Sequence, residues 1–190
     1  MDECDLLGRE PPLLTSFTAL VEREHHALYV FLRGLVNNSE QAYDLMQDTF
    51  HDAWRAALAG TAPLATSDEM RRWLFQAAYH RAISALRRRR LIRWESLDQL
   101  AGPEAVWGTE AVTFEDQIAE SEALREALAH LSPQDSACLL LRLAHGFSAA
   151  EVGQIIGATP DVVTKRLSRA KQRLRSVYLR QNTPTKELRP

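Results

Sequence analysis

Cysteine is scarce in this chain: Cys4 and Cys138 stand far apart in 190 residues, which leaves no disulfide framework, zinc cluster or paired redox thiols to expect. The chain reads as cytosolic and reduced. No apolar run is long enough to cross a membrane, so direct insertion is not expected and membrane association would have to come through a partner. The acidic opening MDECD is unlike a secretory signal. Metal chemistry lacks its pattern as well, because His25, His26, His51, His80, His130 and His145 include an adjacent pair but no HExxH or other ligand spacing. Serine, histidine and aspartate occur, but nothing places them as a triad. No metal, cofactor, small-molecule substrate or catalytic residue is therefore expected, and an enzyme is the least favoured class.

What is present is ordinary globular material, 45% hydrophobic and 25% charged, with a formal net charge of -2 that hides a segregation of sign. From Arg71 to Arg93 there is no carboxylate, and from Trp94 to Glu122 there is no lysine or arginine. The second of these stretches opens with Gly102, Pro103 and Gly108 in place of a helical repeat, which reads as a domain linker. It could lie in a basic channel or merely solubilise the chain. The expected architecture is all-α: two small helical domains, residues 15–93 and 114–180, joined by an acidic flexible linker over 94–113. A loose lead (1–14) and a frayed tail (181–190) flank them.

The stretch from Phe147 to Arg175 is the most informative. Ser148 with Glu151 forms a capping box, Val152, Ile155 and Ile156 share a face, and Gly157 ends the helix. Thr159 can cap the next helix, with Pro160 at its first position and Asp161 near its positive end. In that helix Val163, Leu167, Ala170, Leu174 and Val177 are expected to be buried, while Thr164, Lys165, Ser168, Arg169 and Gln172 point outward. A short helix, a glycine turn and a longer basic helix make a helix-turn-helix, whose second helix enters the DNA major groove. An ordinary helix pair with a solvated charged face is the bland alternative.

Earlier in the chain, Phe17, Leu20, Val21, Leu28, Phe31 and Leu35 recur at helical spacing until Gly34, Asn37 and Asn38 break the pattern, with Ser39 as the expected next cap. The following helix buries Ala42, Leu45, Met46, Thr49, Phe50, Ala53, Trp54, Ala57 and Leu58, and turns Asp44, Gln47, Asp48, His51 and Asp52 outward. That acidic face is either solvated or a docking surface for a basic helix. After a loop over Ala59 to Ser67, the carboxylate-free helix buries Phe75, Ala78, Tyr79, Ala82 and Leu86. Trp73, His80, Ser84, Arg87 and Arg88 remain on its other side, suited to phosphates and unpaired bases, or simply paired with the acidic helix before it. Near Ser132, Pro133 and Asp135 a further helix should start, carrying Cys138, Leu139, Leu141 and Leu143.

Three motifs in order then resemble those of bacterial sigma factors of the extracytoplasmic-function type, the small two-domain members of the sigma-seventy family. DLMQDTF (Asp44 to Phe50) with Ala53-Trp54 is similar to the polymerase-binding helix, and WLFQAAYHRAISALRRRR (Trp73 to Arg90) to the helix that reads the minus-ten element. The run from Leu131 to Arg175 is similar to the domain that reads the minus-thirty-five element. The resemblance implies a protein without catalysis of its own that binds core RNA polymerase and promoter DNA, with an anti-sigma factor as a further partner. It would place Asp44, Leu45, Gln47, Asp48 and Phe50 against polymerase. Arg72, Trp73, His80, Ser84, Arg87 and Arg88 would lie at the minus-ten strand, and Thr164, Lys165, Ser168, Arg169 and Gln172 at the minus-thirty-five element. The chain departs from the family where His80 and Ser84 replace the usual Asn and Asp. Two other readings stand beside this one: a sigma-like decoy that binds polymerase or an anti-sigma partner without opening promoters, and a stand-alone helix-turn-helix regulator.

Overall fold

The computed structural model describes residues 12–61, 67–95 and 128–182, all of them helices and the turns between helices. The expectations for the lead before residue 12, for most of the Ala59 to Ser67 loop, for the acidic linker from residue 96 onward, for residues 114–127 and for the far tail lie outside these residues.

Helix α1 spans Pro12–Val36 and α2 spans Ser39–Leu58. α1 starts three residues before the expected Thr15, because proline is tolerated in a first turn where its missing N–H has no partner to lose. It runs through Gly34 and stops where Asn37 takes a left-handed φ of 50°, a conformation asparagine tolerates better than most residues. The cap of α2 is Asn38 rather than the expected Ser39: its side-chain oxygen accepts from the Gln41 N–H at 2.7 Å. With so short a link the helices fold back as a hairpin, and Phe17 near the start of α1 meets Trp54 near the end of α2, ring centroids 5.0 Å apart. Thr49 is fully buried in α2 and satisfies its hydroxyl by donating to the Leu45 carbonyl at 2.6 Å. Leu58, expected in the apolar stripe, is instead 61% exposed at the helix end.

Helix α3, Ser67–Glu95, lays Leu74, Phe75, Ala78, Tyr79 and Ala82 into the core made with Leu28, Phe31 and Leu32 of α1 and Leu45, Met46 and Phe50 of α2. The C-terminal half starts from Ser132, which caps α4 (Pro133–Leu139) by accepting from the Asp135 N–H. The chain then departs from the expected continuous helix. Leu140–Ala144 form a π turn, closed by the His145 N–H donating to the Leu140 carbonyl at 3.1 Å. Leu143, expected on that helix, is 59% exposed.

Helices α5 (Ala149–Ile156) and α6 (Pro160–Asn182) complete the helix-turn-helix. The capping box at Ser148 is closed in both directions, and Gly157 takes the left-handed C-cap with φ 72°. Gly153 permits the tight turn for another reason: a Cβ there would come 2.5 Å from the Ala158 carbonyl oxygen. Val163, Leu167 and Ala170 are buried as expected, while Leu174 and Val177 are half-buried. The two halves share one continuous cluster of buried side chains, because α3 packs against α5, and α1 against α4 and the π turn.

Candidate nucleic-acid and polymerase interface

The acidic face of α2 keeps Asp44, Gln47 and Asp48 exposed, whereas Leu45 and Phe50 lie in the core at 7% and 9% exposure and serve to hold the helix. Asp48 has a partner across the groove: the Arg81 guanidinium donates to its Oδ2 at 2.9 Å and also reaches Asp52 Oδ2, its Nε at 2.9 Å. Part of the basic helix is thus paired with the acidic one. Asn38, Glu40, Gln41, Asp44 and Arg89 line an open polar recess at the start of α2.

On α3, His80, Ser84, Arg87 and Arg88 are exposed and share one side of the helix. Arg72 and Trp73 do not join them. Arg72 is half-buried with its Nη1 3.6 Å from Glu151 Oε1 of α5, and Trp73 is half-buried against the core. The carboxyl of Glu151 is held below its usual range, first by the hydrogen bonds from Ser148 and then by the nearby arginines.

On α6 the five outward residues, Thr164, Lys165, Ser168, Arg169 and Gln172, are all exposed on one face. Thr164 donates its hydroxyl to the Pro160 carbonyl at 2.9 Å, so it is oriented by its own helix. The opposite edge is tied down by arginines that the sequence reading did not single out. Arg166 donates to the buried Asp135 at 3.0 Å, and Arg173 lies 3.8 Å from the same carboxylate. The fold therefore presents basic, hydrogen-bonding groups on α6 and α3 and an acidic face on α2. Among the described residues no group of three or more His, Cys, Asp or Glu could hold a metal ion, and no helix is long and apolar enough to cross a membrane.

Comparison with known proteins fits this arrangement. The family model described as Sigma-70, region 4 matches residues 121–174. The chain is 29% identical over 147 residues to the RNA polymerase sigma factor YlaC of Bacillus subtilis, covering 77% of this chain and 82% of that one. It is 30% identical over 195 residues to the ECF RNA polymerase sigma factor SigG of Mycobacterium tuberculosis, covering 90% of this chain but only 51% of SigG. In fold it resembles the sigma factor RpoE of Bartonella quintana, solved with the anti-sigma factor NepR, at a TM-score of 0.70 and 24% identity over 89% of this chain and 99% of that one. It also resembles CnrH, solved with the cytosolic domain of CnrY, at a TM-score of 0.60 and 22% identity over 90% and 91% of the two chains. The Sigma-70, region 4 model covers the helix-turn-helix, and likeness across both halves makes this chain similar to sigma factors of the sigma-70 family, extracytoplasmic-function members among them.

Proposed function

We propose that the chain binds core RNA polymerase and directs it to promoters, contributing recognition rather than chemistry. Residues 15–93 act as the region 2-like unit, with Asp44, Gln47 and Asp48 of α2 meeting polymerase and His80, Ser84, Arg87 and Arg88 of α3 meeting the minus-ten strand. Residues 114–180 act as the region 4-like unit, with α6 in the major groove of the minus-thirty-five element. The observation that carries the reading is the α6 face, where all five sequence-predicted contacts stand exposed on a capped helix-turn-helix. Arginine and lysine there can neutralise phosphates or donate to guanine, and threonine, serine and glutamine can approach base edges. The site of action is the cytoplasm, where polymerase and promoters are, and an anti-sigma factor is inferred as the regulating partner.

The test is transcription in vitro from a promoter library by core polymerase with and without the chain. Transcripts that start at a shared pair of upstream elements only when the chain is present are the expected result. Polymerase binding without any transcript would instead establish the decoy reading.

A further inference from the structure

The outer side of α3 is rich in hydrogen-bond donors and poor in acceptors. His80 and Ser84 are one turn apart, Arg87 and Arg88 follow a turn later, and all four are exposed on one face. Arginine has only N–H donors, whereas an imidazole or a hydroxyl can donate or accept. No carboxylate or carboxamide side chain lies between Ala77 and Arg93, so an obligate acceptor would have to come from a neighbouring helix. Those of α2 meet arginines on the flank of α3 instead. Arg81, between His80 and Ser84 in sequence but turned towards α2, donates to Asp48 Oδ2 at 2.9 Å and through Nε to Asp52 Oδ2 at 2.9 Å. Glu40 and Asp44 line one recess with Arg89. Among the described residues no hydrogen bond or ion pair engages the side chains of Ser84, Arg87 and Arg88. The His80 ring meets the buried Tyr79 edge-on, centroids 5.5 Å apart, and so stands against a fixed neighbour.

A face of this kind can tell bases apart by their exocyclic groups. Guanine carries two adjacent acceptors, O6 and N7, and thymine carries O4; adenine and cytosine present an amino group, N6 or N4, at the same edge. An amino group set against arginine donors gives up its bonds to water and gains no acceptor in return. The side chains that favour amino bases are a carboxylate, which accepts from cytosine N4, and a carboxamide, which pairs with adenine N6 and N7. This stretch of α3 has neither.

We propose that the outer face of α3 selects keto-bearing bases, guanine first and thymine second, in the strand it meets, with His80 and Ser84 making the choice. The proposal rests on the reading that α3 meets the minus-ten strand. Guanine ranks first because its two acceptors can take two donors at once, from His80 and from Ser84 or Arg87. Arg88, at the edge of the same face, is left to meet phosphate. Ser84 is the sensitive position: its hydroxyl can donate to a carbonyl, whereas a carboxylate there would repel that oxygen and accept from an amino group.

The experiment transcribes templates with a pre-opened minus-ten bubble, using core polymerase and the full chain. In a bubble either strand can be randomised while the other is held constant, so a guanine read on one strand is not confused with a cytosine read on its complement. Sequencing the transcribed templates should show guanine or thymine enriched about fivefold or more over adenine and cytosine at one or more positions of one strand. Ser84→Asp should move the preference at those positions to cytosine or adenine, and His80→Ala should weaken it, with helical content and polymerase binding as in wild type. A merely structural role for these exposed residues would leave the base preference where it was. Enrichment of amino bases by the wild type, or a keto preference that neither variant shifts, would overturn the proposal. Absence of transcript from every bubble would overturn the promoter reading instead. Fluorescence anisotropy of the full chain with a labelled guanine–thymine strand and a labelled adenine–cytosine strand, compared between wild type and Ser84→Asp, would then still decide the base preference.

Discussion

Lys165 and Arg166 are neighbours in sequence and opposite in role. Lys165 is exposed on the outer face of α6, whereas Arg166 turns inward to Asp135. Lys165→Ala or Arg169→Ala should leave the melting temperature near wild type. Either should weaken binding to minus-thirty-five duplex by roughly 1–3 kcal/mol if the residue makes a bidentate base contact, and less, without sequence preference, if it meets phosphate. Arg166→Ala should instead lower the melting temperature, since it leaves Asp135 buried with only the longer Arg173 contact, a loss of about 1–3 kcal/mol. The distinction was partly legible. Arg166 falls three residues after Val163 and next to Leu167, inside the apolar register, just as Arg71 falls three before Leu74 and Glu24 lies between Leu20 and Leu28. A charge inside the register signals a buried pair, but only the tertiary structure supplies the mate.

His145 belongs to the same scale. Burial first, and the Arg71 cation second, hold its imidazole down to about 4, with Glu24 opposing, and its Nε2 finds no hydrogen-bond partner among the described residues. The unfolded chain takes up this proton at the ordinary value near 6.5, so below that pH the unfolded state binds more protons than the folded one. Stability is therefore full above about pH 6.5 and is lost progressively as pH falls towards 4, by on the order of 2 kcal/mol. His145→Gln should flatten that part of the stability profile in urea titrations; an identical slope in wild type and variant would remove His145 from the account.

At the scale of elements, the caps of the C-terminal half were readable, whereas the α2 cap fell one residue before the expected Ser39 and the π turn was not readable at all. Ser148 with Glu151, Ser132 with Pro133, Gly157 and Pro160 act locally, through hydrogen bonds and φ angles that span only a few residues, so the sequence alone places them. The extra residue of the π turn repacks Leu140 to Ala144 against α1, a contact across more than a hundred residues that no local pattern encodes. Gly153 was equally silent, since glycine within a helix normally only weakens it. Gly153→Ala tests which effect wins. Alanine favours the helix by roughly 1 kcal/mol, but its Cβ would meet a backbone oxygen at 2.5 Å that cannot swing away. The net effect should be a loss of about 1–3 kcal/mol. Thermal melts and duplex binding should both suffer, whereas Gln154→Ala, on the exposed side of the same helix, should leave the melt unchanged.

For the whole molecule, the separation of faces sets what each can do. Opening a promoter means unstacking bases, at a cost of a few kcal/mol that a small free protein has little contact surface to offset. The arginines of α3 should therefore act only once polymerase holds the DNA. Isolated chain should bind promoter duplex weakly, and with core polymerase it should give permanganate-reactive thymines around the start site. Arg87→Ala with Arg88→Ala should reduce that signal and leave polymerase binding intact, because both side chains are exposed and neither belongs to the α2 face. Asp48→Ala should do the reverse, weakening polymerase binding first. Its fold should survive, since Arg81 keeps Asp52 as a partner when Asp48 is gone. His80→Asn with Ser84→Asp, at exposed positions of the same helix, should change which minus-ten sequences open without changing how much polymerase is bound. Should wild-type chain bind polymerase yet yield no reactive thymines across a broad promoter set, the exposed basic face of α3 would have no melted strand to hold, and the chain would be a competitor for polymerase rather than a guide to promoters.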